Sequence, residues 1–387
     1  MVSAAGYAAE MRRIDEDIAA LARASDPEAI TRRLYRLYQK ASIAGDLAGL
    51  AEIIAAIDDS LAALANPGDL YLLKANAAFK LHKLTEVAAA LRAVPSVHDS
   101  DEGLLIRADL DFQHGDYLAA ENGYAGVLRH ERSWGALARL AHLRGKMGQR
   151  ADADRLYEEA QDQLTAKEMR AYAWLEVQRG FLHFARGRHG EARLRYQRAD
   201  KAYPGYWLVE EHIAELLGAA GRYEEAAGVL ERIVSTVDRP DLDQAIGELY
   251  ELAGQSGAAR SWKRRALSAY LQSAEHGEVH YYHHLVDYYT DVAEDGAEAV
   301  KWAYKDLQLR ENFATQAALA WSLYRDGQLS DAVCWIDRAL ASGVVDALLA
   351  SRAGEIHRAA GNEVEARNRR EQAMKLNPAV AGFHLHH

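Results

Sequence analysis

Four histidines and two aspartates lie close together in the second half of the chain, and side chains of these types can take part in chemistry. They are His276, His280, His283, His284, Asp287 and Asp291. His280 and His284 are four residues apart, so on a helix they would share one face, where two imidazoles could bind zinc or nickel. A structural zinc site uses four ligands, and only two align here. We therefore expect no metal or other cofactor, with His280 and His284 as the candidates if one binds.

Signatures of common enzyme classes are missing. The sequence contains no glycine-rich phosphate loop ending in GK[ST], no GxGxxG, no GxSxG and no HExxH motif. Its single cysteine, Cys334, lies beside Trp335 with no histidine nearby in the sequence. We interpret it as a packed or partly buried thiol rather than a nucleophile. The sequence therefore predicts a protein that is not an enzyme.

Composition narrows the classes of partner. The chain has 387 residues, is 27% charged, and carries a formal net charge of −11. A surface that binds nucleic-acid phosphates needs clustered lysine and arginine, so the acidic balance predicts no nucleic-acid partner. No apolar run is long enough to span a bilayer, and no apolar signal core precedes the charged residues 12–17. We expect a cytoplasmic protein without a membrane partner.

A spacing pattern recurs along most of the chain. In its clear copies a glycine is followed after five residues by alanine, after four more by an aromatic residue or leucine, and after three by alanine or an aliphatic residue. Ten positions mark such units at intervals of 33 to 40 residues: Gly45, His82, Gly115, Gly148, Gly187, Gly221, Gly254, Glu294, Gly327 and Gly361. A period of this length indicates stacked helical hairpins, each ending its first helix at the glycine in a left-handed conformation. His82 and Glu294 are the degenerate members.

This pattern resembles the tetratricopeptide repeat family over about residues 25–378. The family places a large residue, a small residue and a tyrosine in the first helix, as do Ile246, Gly247 and Tyr250 ahead of Gly254. The resemblance implies an all-α, right-handed superhelical solenoid of about ten antiparallel helix hairpins. Related helical-hairpin repeats stay an alternative for the first two units.

Short segments flank the predicted array. Residues 1–24 read as an amphipathic helix that caps the first unit, and a homodimer through residues 7–21 is the alternative. Ser25, Asp26 and Pro27 predict the start of the next helix. Residues 379–387 form a C-terminal tail, whose three histidines we expect to be part of a loose end.

In the tetratricopeptide family the first helix of each pair lines the concave face, with positions 2, 5, 9 and 12 directed inward. Carried onto this sequence, that register implies a wall that is aromatic at both ends and acidic between them. Aromatic rings supply contact area and cation–π partners, and carboxylates attract cations. We therefore expect a protein- or peptide-binding scaffold whose partner contributes a basic segment. The residues expected to contact it are Trp174, Phe181, Phe184, Glu211, Glu215, Asp241, Glu248, Glu251, Tyr281, His284, Tyr288, Asp291, Trp321 and Tyr324.

Two other functions stay open. One is a metal- or small-molecule-binding repeat protein that uses the helix carrying His280 and His284. The other is a regulatory protein acting through a partner, since the 24 residues before the first unit are too few for a helix-turn-helix module. Clamping of acidic chaperone tails is not expected, because the inner positions lack the lysine, asparagine and arginine of that subfamily.

Overall fold

The computed structural model of the chain describes residues 6–23, 26–62 and 68–385, and this part of the chain is helical and contains no strand. No helix within these ranges is both long and apolar enough to cross a bilayer. The helices are α1 (Tyr7–Leu21), α2 (Pro27–Ala44), α3 (Leu47–Leu61), α4 (Gly68–Lys80), α5 (Leu84–Ala93), α6 (Pro95–His98), α7 (Asp101–Gln113), α8 (Tyr117–Leu128), α9 (Trp134–Lys146), α10 (Arg150–Asp162), α11 (Met169–Phe184), α12 (His189–Ala202), α13 (Trp207–Ala219), α14 (Tyr223–Val234), α15 (Pro240–Leu252), α16 (Ser256–Glu275), α17 (Tyr282–Asp287), α18 (Gly296–Leu309), α19 (Phe313–Arg325), α20 (Leu329–Ala341), α21 (Ala347–Ala359) and α22 (Glu363–Leu376). A π-helical turn, Tyr288–Val292, continues α17.

Consecutive helices pack as hairpins, which we number as units 1 to 10 in chain order within the described residues. The units are α2–α3, α4–α5, α7–α8, α9–α10, α11–α12, α13–α14, α15–α16, α17–α18, α19–α20 and α21–α22. Buried alanines let the two helices of a hairpin approach closely, and a buried tyrosine fills the adjoining space in units 3, 4 and 5. The predicted all-α solenoid of about ten hairpins is confirmed.

All ten positions that mark the units adopt a left-handed backbone at the turn inside the hairpin. The eight glycines have φ between 69° and 81°, while His82 has φ 57° and Glu294 has φ 53°. These two are the non-glycine residues with positive φ in the described ranges. The periodic glycine is therefore explained by the left-handed backbone that the turn requires. His82 and Glu294 adopt the same backbone conformation at a steric cost.

The first helix packs inside the same chain. Ile14 is buried, and Tyr7, Met11 and Ile18 pack against the cluster that holds units 5 to 7 together. Part of the apolar stripe considered as a dimer seam is thus covered within the chain. The Asp26 carboxylate caps α2 by accepting from the Ala29 amide at 2.9 Å. Residues 1–5, 24 and 25, including the Ser25 of the predicted cap, lie outside the described residues.

Units five or six apart touch each other along what we call the seam. The Trp207 indole N–H donates to the Ile43 carbonyl at 2.8 Å, joining units 1 and 6. The Phe313 amide donates to the Tyr117 hydroxyl at 3.0 Å, joining units 3 and 9. The Val345 amide donates to the Lys146 carbonyl at 2.8 Å beside units 4 and 10. Successive turns of the superhelix therefore stack on one another, so each unit contacts more than its sequence neighbours.

The seam gives two classes of hairpin glycine. A Cβ added at Gly148 would lie 2.9 Å from Val345 Cγ2 across the seam, whereas a Cβ added at Gly254 would meet nothing within 4 Å. Their φ angles are nearly equal, at 77° and 76°. The pair therefore separates the cost of a left-handed side chain from the cost of crowding the seam.

Alanine at Gly254 is expected to lower the free energy of unfolding by about 1–2 kcal/mol, the cost of a left-handed L-residue. Alanine at Gly148 is expected to lower the free energy of unfolding by about 1–3 kcal/mol more, because its methyl group must displace the Val345 side chain. Val345 cannot easily move, since its backbone amide is hydrogen-bonded to the Lys146 carbonyl. Urea unfolding of both variants checks this, with Gly228→Ala in the middle of α14 as the control. Equal losses at the two positions would contradict a tightly packed seam.

Candidate functional site

First helices of several units meet in one region of the structure. A cavity of about 300 Å³ lies there, and its wall is built by first helices α11, α17, α19 and α21, with the end of α18 and residues after α22. A smaller space of about 50 Å³ adjoins it and shares Lys146, Phe181 and Asp346 with it. Of the fourteen residues expected from the repeat register, Phe181 and Phe184 line the larger of these two spaces.

The aromatic residues expected at the site divide between wall and core. Phe181 and Phe184 line the cavity, and Phe184 is only 2% exposed. Tyr281 and Tyr288 are buried. The remaining three are partly buried: Trp174 packs edge-on against Trp134 with ring centroids 6.3 Å apart, and Trp321 lies 4.9 Å from Tyr324.

Three of the expected acidic residues already have basic or amide partners. Burial alone would raise the pKa of Asp241, but the Arg239 guanidinium 2.7 Å away lowers it to about 2. The Glu248 carboxylate accepts from the Gln244 amide at 2.9 Å, yet burial raises the pKa of Glu248. Glu251, with 51% of its side chain exposed, lies 3.8 Å from Lys263 Nζ.

The other expected carboxylates differ in exposure. Glu211 is 2% exposed and Glu215 is fully buried, so neither reaches solvent. Glu215 Oε2 lies 3.4 Å from His212 Nδ1. The Asp291 side chain is 44% exposed, accepts from the Trp321 indole at 3.0 Å and lies 3.5 Å from Arg352.

Residues 379–385, which we call the tail segment, lie on the inner wall. The Leu385 amide donates to Glu215 Oε1 at 2.9 Å. Phe383 fills a notch at Gly218, where an added Cβ would lie 2.4 Å from the phenyl ring. His384 packs edge-on against Phe184 with centroids 5.5 Å apart. The prediction of a loose end is therefore wrong for this segment, because aromatic packing and a buried carboxylate hold it.

The histidines form a packed aromatic group. The helix α17 begins at Tyr282, so His280 precedes it and the prediction that His280 and His284 share a helix face is wrong. His284 stacks on Tyr270 with an interplanar angle of 5°, and burial lowers the pKa of His280 to about 4. No three histidine, cysteine or carboxylate side chains gather into a metal-binding group in the part of the chain that the structure describes. His386 and His387 lie outside it.

Comparison with solved structures identifies the type of fold. No protein-family model matches the sequence, and no curated protein matches it significantly. A crystal structure of the APC/C hetero-tetramer Cut9–Hcn1 superposes with a TM-score of 0.53 and 11% identity, covering 96% of this chain and 60% of that chain. The fold is tetratricopeptide-like. Two crystal structures of MamA give TM-scores of 0.34 and 0.35, with 19% and 20% identity, over 45% and 43% of this chain and 94% and 96% of theirs.

The chain thus spans about three fifths of the length of the Cut9–Hcn1 neighbour. Within the tetratricopeptide-like array, sequence reasoning missed the arginines that face the cavity, Arg310 and Arg352. Neither lies at an inward position of the family register. Cys334 is exposed, so the prediction of a packed thiol is wrong: it lies on the outer surface of α20.

Proposed function

We propose that this chain is a non-catalytic, cytoplasmic scaffold that binds an extended segment of another protein along its inner wall. The observation that carries the proposal is the tail segment, a stretch of peptide seated on that wall. It uses one main-chain N–H, toward Glu215, and one aromatic side chain, in the notch at Gly218. Main-chain hydrogen bonds combined with side-chain notches are a general means of recognising extended peptides.

The fold similarity agrees with this function. The Cut9–Hcn1 neighbour is a hetero-tetramer, so its chains assemble with other chains. We extend that behaviour, binding of another polypeptide, to this chain as a proposal. The partner's contacts would come from those of the fourteen residues predicted from the register that are not buried in the fold, and the tail segment would have to leave Phe184 and Glu215 before a partner could reach them.

A basic partner segment fits the part of the wall that the tail segment leaves uncovered. Asp241 is neutralised by Arg239, so it offers a partner little net charge. Burial and the nearby Asp291 carboxylate raise the pKa of Glu248, and burial, Asp291 and Glu248 raise the pKa of Asp287. Asp291 keeps 44% of its side chain exposed. A carboxylate whose pKa is raised by burial and by neighbouring carboxylates gains free energy when a cation joins it.

The electrostatic part is tested with a lysine-rich peptide that carries two aromatic residues, and with the same peptide in which glutamate replaces lysine. Fluorescence anisotropy at pH 8 is expected to show binding of the basic peptide only, weakening as salt rises. Glu248→Gln should weaken this binding by about three- to tenfold, the loss of one attractive charge in a partly screened site.

The matched control is Asp331→Asn, which removes a carboxylate exposed on the second helix α20. It should leave the affinity for the basic peptide unchanged. Binding that ignores salt, or that responds equally to both substitutions, would contradict recognition of a basic segment on this wall.

A further inference from the structure

The 300 Å³ cavity has a largely apolar lining. Phe181, Phe184, Phe313, Leu349 and Val380 contribute to its wall, from three first helices and the tail segment. Its volume falls at the lower end of the range for small-molecule sites, which are mostly apolar with a few convergent polar groups. The polar groups of this cavity therefore decide what class of ligand it suits.

The two arginines that line the cavity are already paired. Arg310 donates to both carboxylate oxygens of Asp306, at 3.1 and 3.2 Å. Arg352 lies 3.5 Å from Asp291, and its guanidinium lies over the Trp321 ring, 5.5 Å from the centroid. These arginines cannot easily take up another anion, because each already balances a carboxylate.

Asp287 is different, because neither a hydrogen bond nor an ion pair joins its carboxylate to another residue of the described ranges. Burial raises the pKa of Asp287 to about 7, and Asp291, Glu248 and Asp306 act in the same direction. Arg352 opposes them. A carboxylate in these surroundings is costly when ionised and uncompensated.

The backbone at Asp287 is also unusual. Asp287 is the last residue of α17, and the chain passes directly into the π-helical turn Tyr288–Val292. Within this turn the Thr290 hydroxyl donates to the Val286 carbonyl. Single π-helical turns are uncommon and occur often at functional sites, where they change the direction of a side chain.

We propose that this cavity binds a small protonated primary amine on an apolar body, with the ammonium group against Asp287. An ammonium group supplies the missing counter-charge and three donors, while the aromatic and aliphatic lining buries the rest of the ligand. The Asp287 carboxylate and the nearby Glu248 carboxylate disfavour an anion. The amine can come from a free small molecule or from a lysine side chain of a bound protein, and both sources present the same chemistry.

Calorimetry with phenethylamine tests the free amine, with 2-phenylethanol and phenylacetate as neutral and anionic analogues of similar size. We expect the amine to bind and the two analogues to bind at least about tenfold more weakly. Asp287→Asn should remove this preference, whereas Asp331→Asn should keep it. Circular dichroism of both variants checks that they are folded.

Acidification gives a second readout, because a proton competes with the ammonium group for Asp287. With a pKa near 7, the ionised fraction of Asp287 falls about tenfold between pH 8 and pH 6, and the amine affinity should fall with it. Arg352 on α21, Asp306 on α18, Glu248 on α15 and Asp291 in the π-helical turn all act on this titration. In Asp287→Asn the affinity should be low and independent of pH.

A pair of short peptides, one with lysine and one with acetyl-lysine, separates the two sources. Binding of phenethylamine that depends on Asp287 supports a free-amine ligand. Binding of the lysine peptide alone, lost on acetylation and in Asp287→Asn, supports the same site filled by a partner's side chain. If no cationic probe binds in a way that depends on Asp287, the proposal is overturned.

Discussion

Replacing Trp207 with alanine is expected to destabilise the protein by about 3–5 kcal/mol, as for other large-to-small substitutions of buried aromatic residues. Trp207 is 9% exposed and begins α13, where its ring packs over Gly45. Its indole N–H bonds to the carbonyl of Ile43 in the last turn of α2, which lacks an intrahelical partner. The substitution therefore removes packing and leaves a helix-end carbonyl without a donor.

The position of the damage is as informative as its size. In an open solenoid each unit contacts only its neighbours, so a substitution in unit 6 would loosen units 5 to 7. Here Ile43 and Trp207 belong to one buried cluster, although they are 164 residues apart. Hydrogen exchange in Trp207→Ala should therefore show lost protection in α2 and α3 as well as around α13.

Trp335→Ala is the matched control, since Trp335 is partly buried on α20, where Arg338 lies over its ring, and it takes no part in the seam. It should cost less and should leave exchange in α2 unchanged. Trp207→Phe separates the two contributions: it keeps most of the packing and loses the hydrogen bond, at about 1–3 kcal/mol. Unchanged protection of α2 in Trp207→Ala would show that the seam does not stabilise the first unit.

The hairpins were predictable because each depends on a local requirement that repeats. A left-handed residue ends the first helix, and alanine at a fixed distance allows close packing, so one sequence displays the rule many times. His82 and Glu294 could be identified as the same turn from spacing alone, and their positive φ angles confirm it. Local rules of this kind need no knowledge of the remaining structure.

The seam and the covered site could not be predicted in this way. The contact between Trp207 and Ile43 depends on how many units complete one superhelical turn, a sum of small rotations that no single motif encodes. The register gives Phe184 as an inward residue, and Phe184 lines the cavity, but the register cannot reveal that residues of the tail segment return to cover Glu215. That packing depends on Phe383 and Gly218, which lie far apart in the sequence and follow no repeat.

Removing residues 379–387 is expected to raise the affinity of the inner wall for an added peptide by about tenfold. A tethered segment competes at an effective concentration in the millimolar range, so even weak binding of the segment reduces access to the wall. The tail segment occupies the Gly218 notch through Phe383 and the Glu215 carboxylate through the Leu385 amide. Its removal would open the notch at Gly218 and take away the Leu385 contact with Glu215.

The sharpest probe is a labelled synthetic peptide with the sequence of residues 377–387. It should bind the shortened protein in fluorescence anisotropy and bind the full chain at least about tenfold more weakly, because the full chain already carries the competitor. Phe383→Ala in the full chain should recover part of the binding. Gly218→Val in the shortened protein should abolish it, since a side chain there fills the notch.

Met374→Ala serves as the control, because Met374 is 53% exposed on α22 beside the tail segment and makes no contact with the notch. It should leave peptide binding by the full chain as weak as before. Equal binding of the peptide to the full and shortened chains would show that the tail segment does not compete for the wall. If the peptide binds neither chain while both are folded, the notch holds the tail segment only as part of the fold. The tail segment would then no longer support the proposed peptide-binding function.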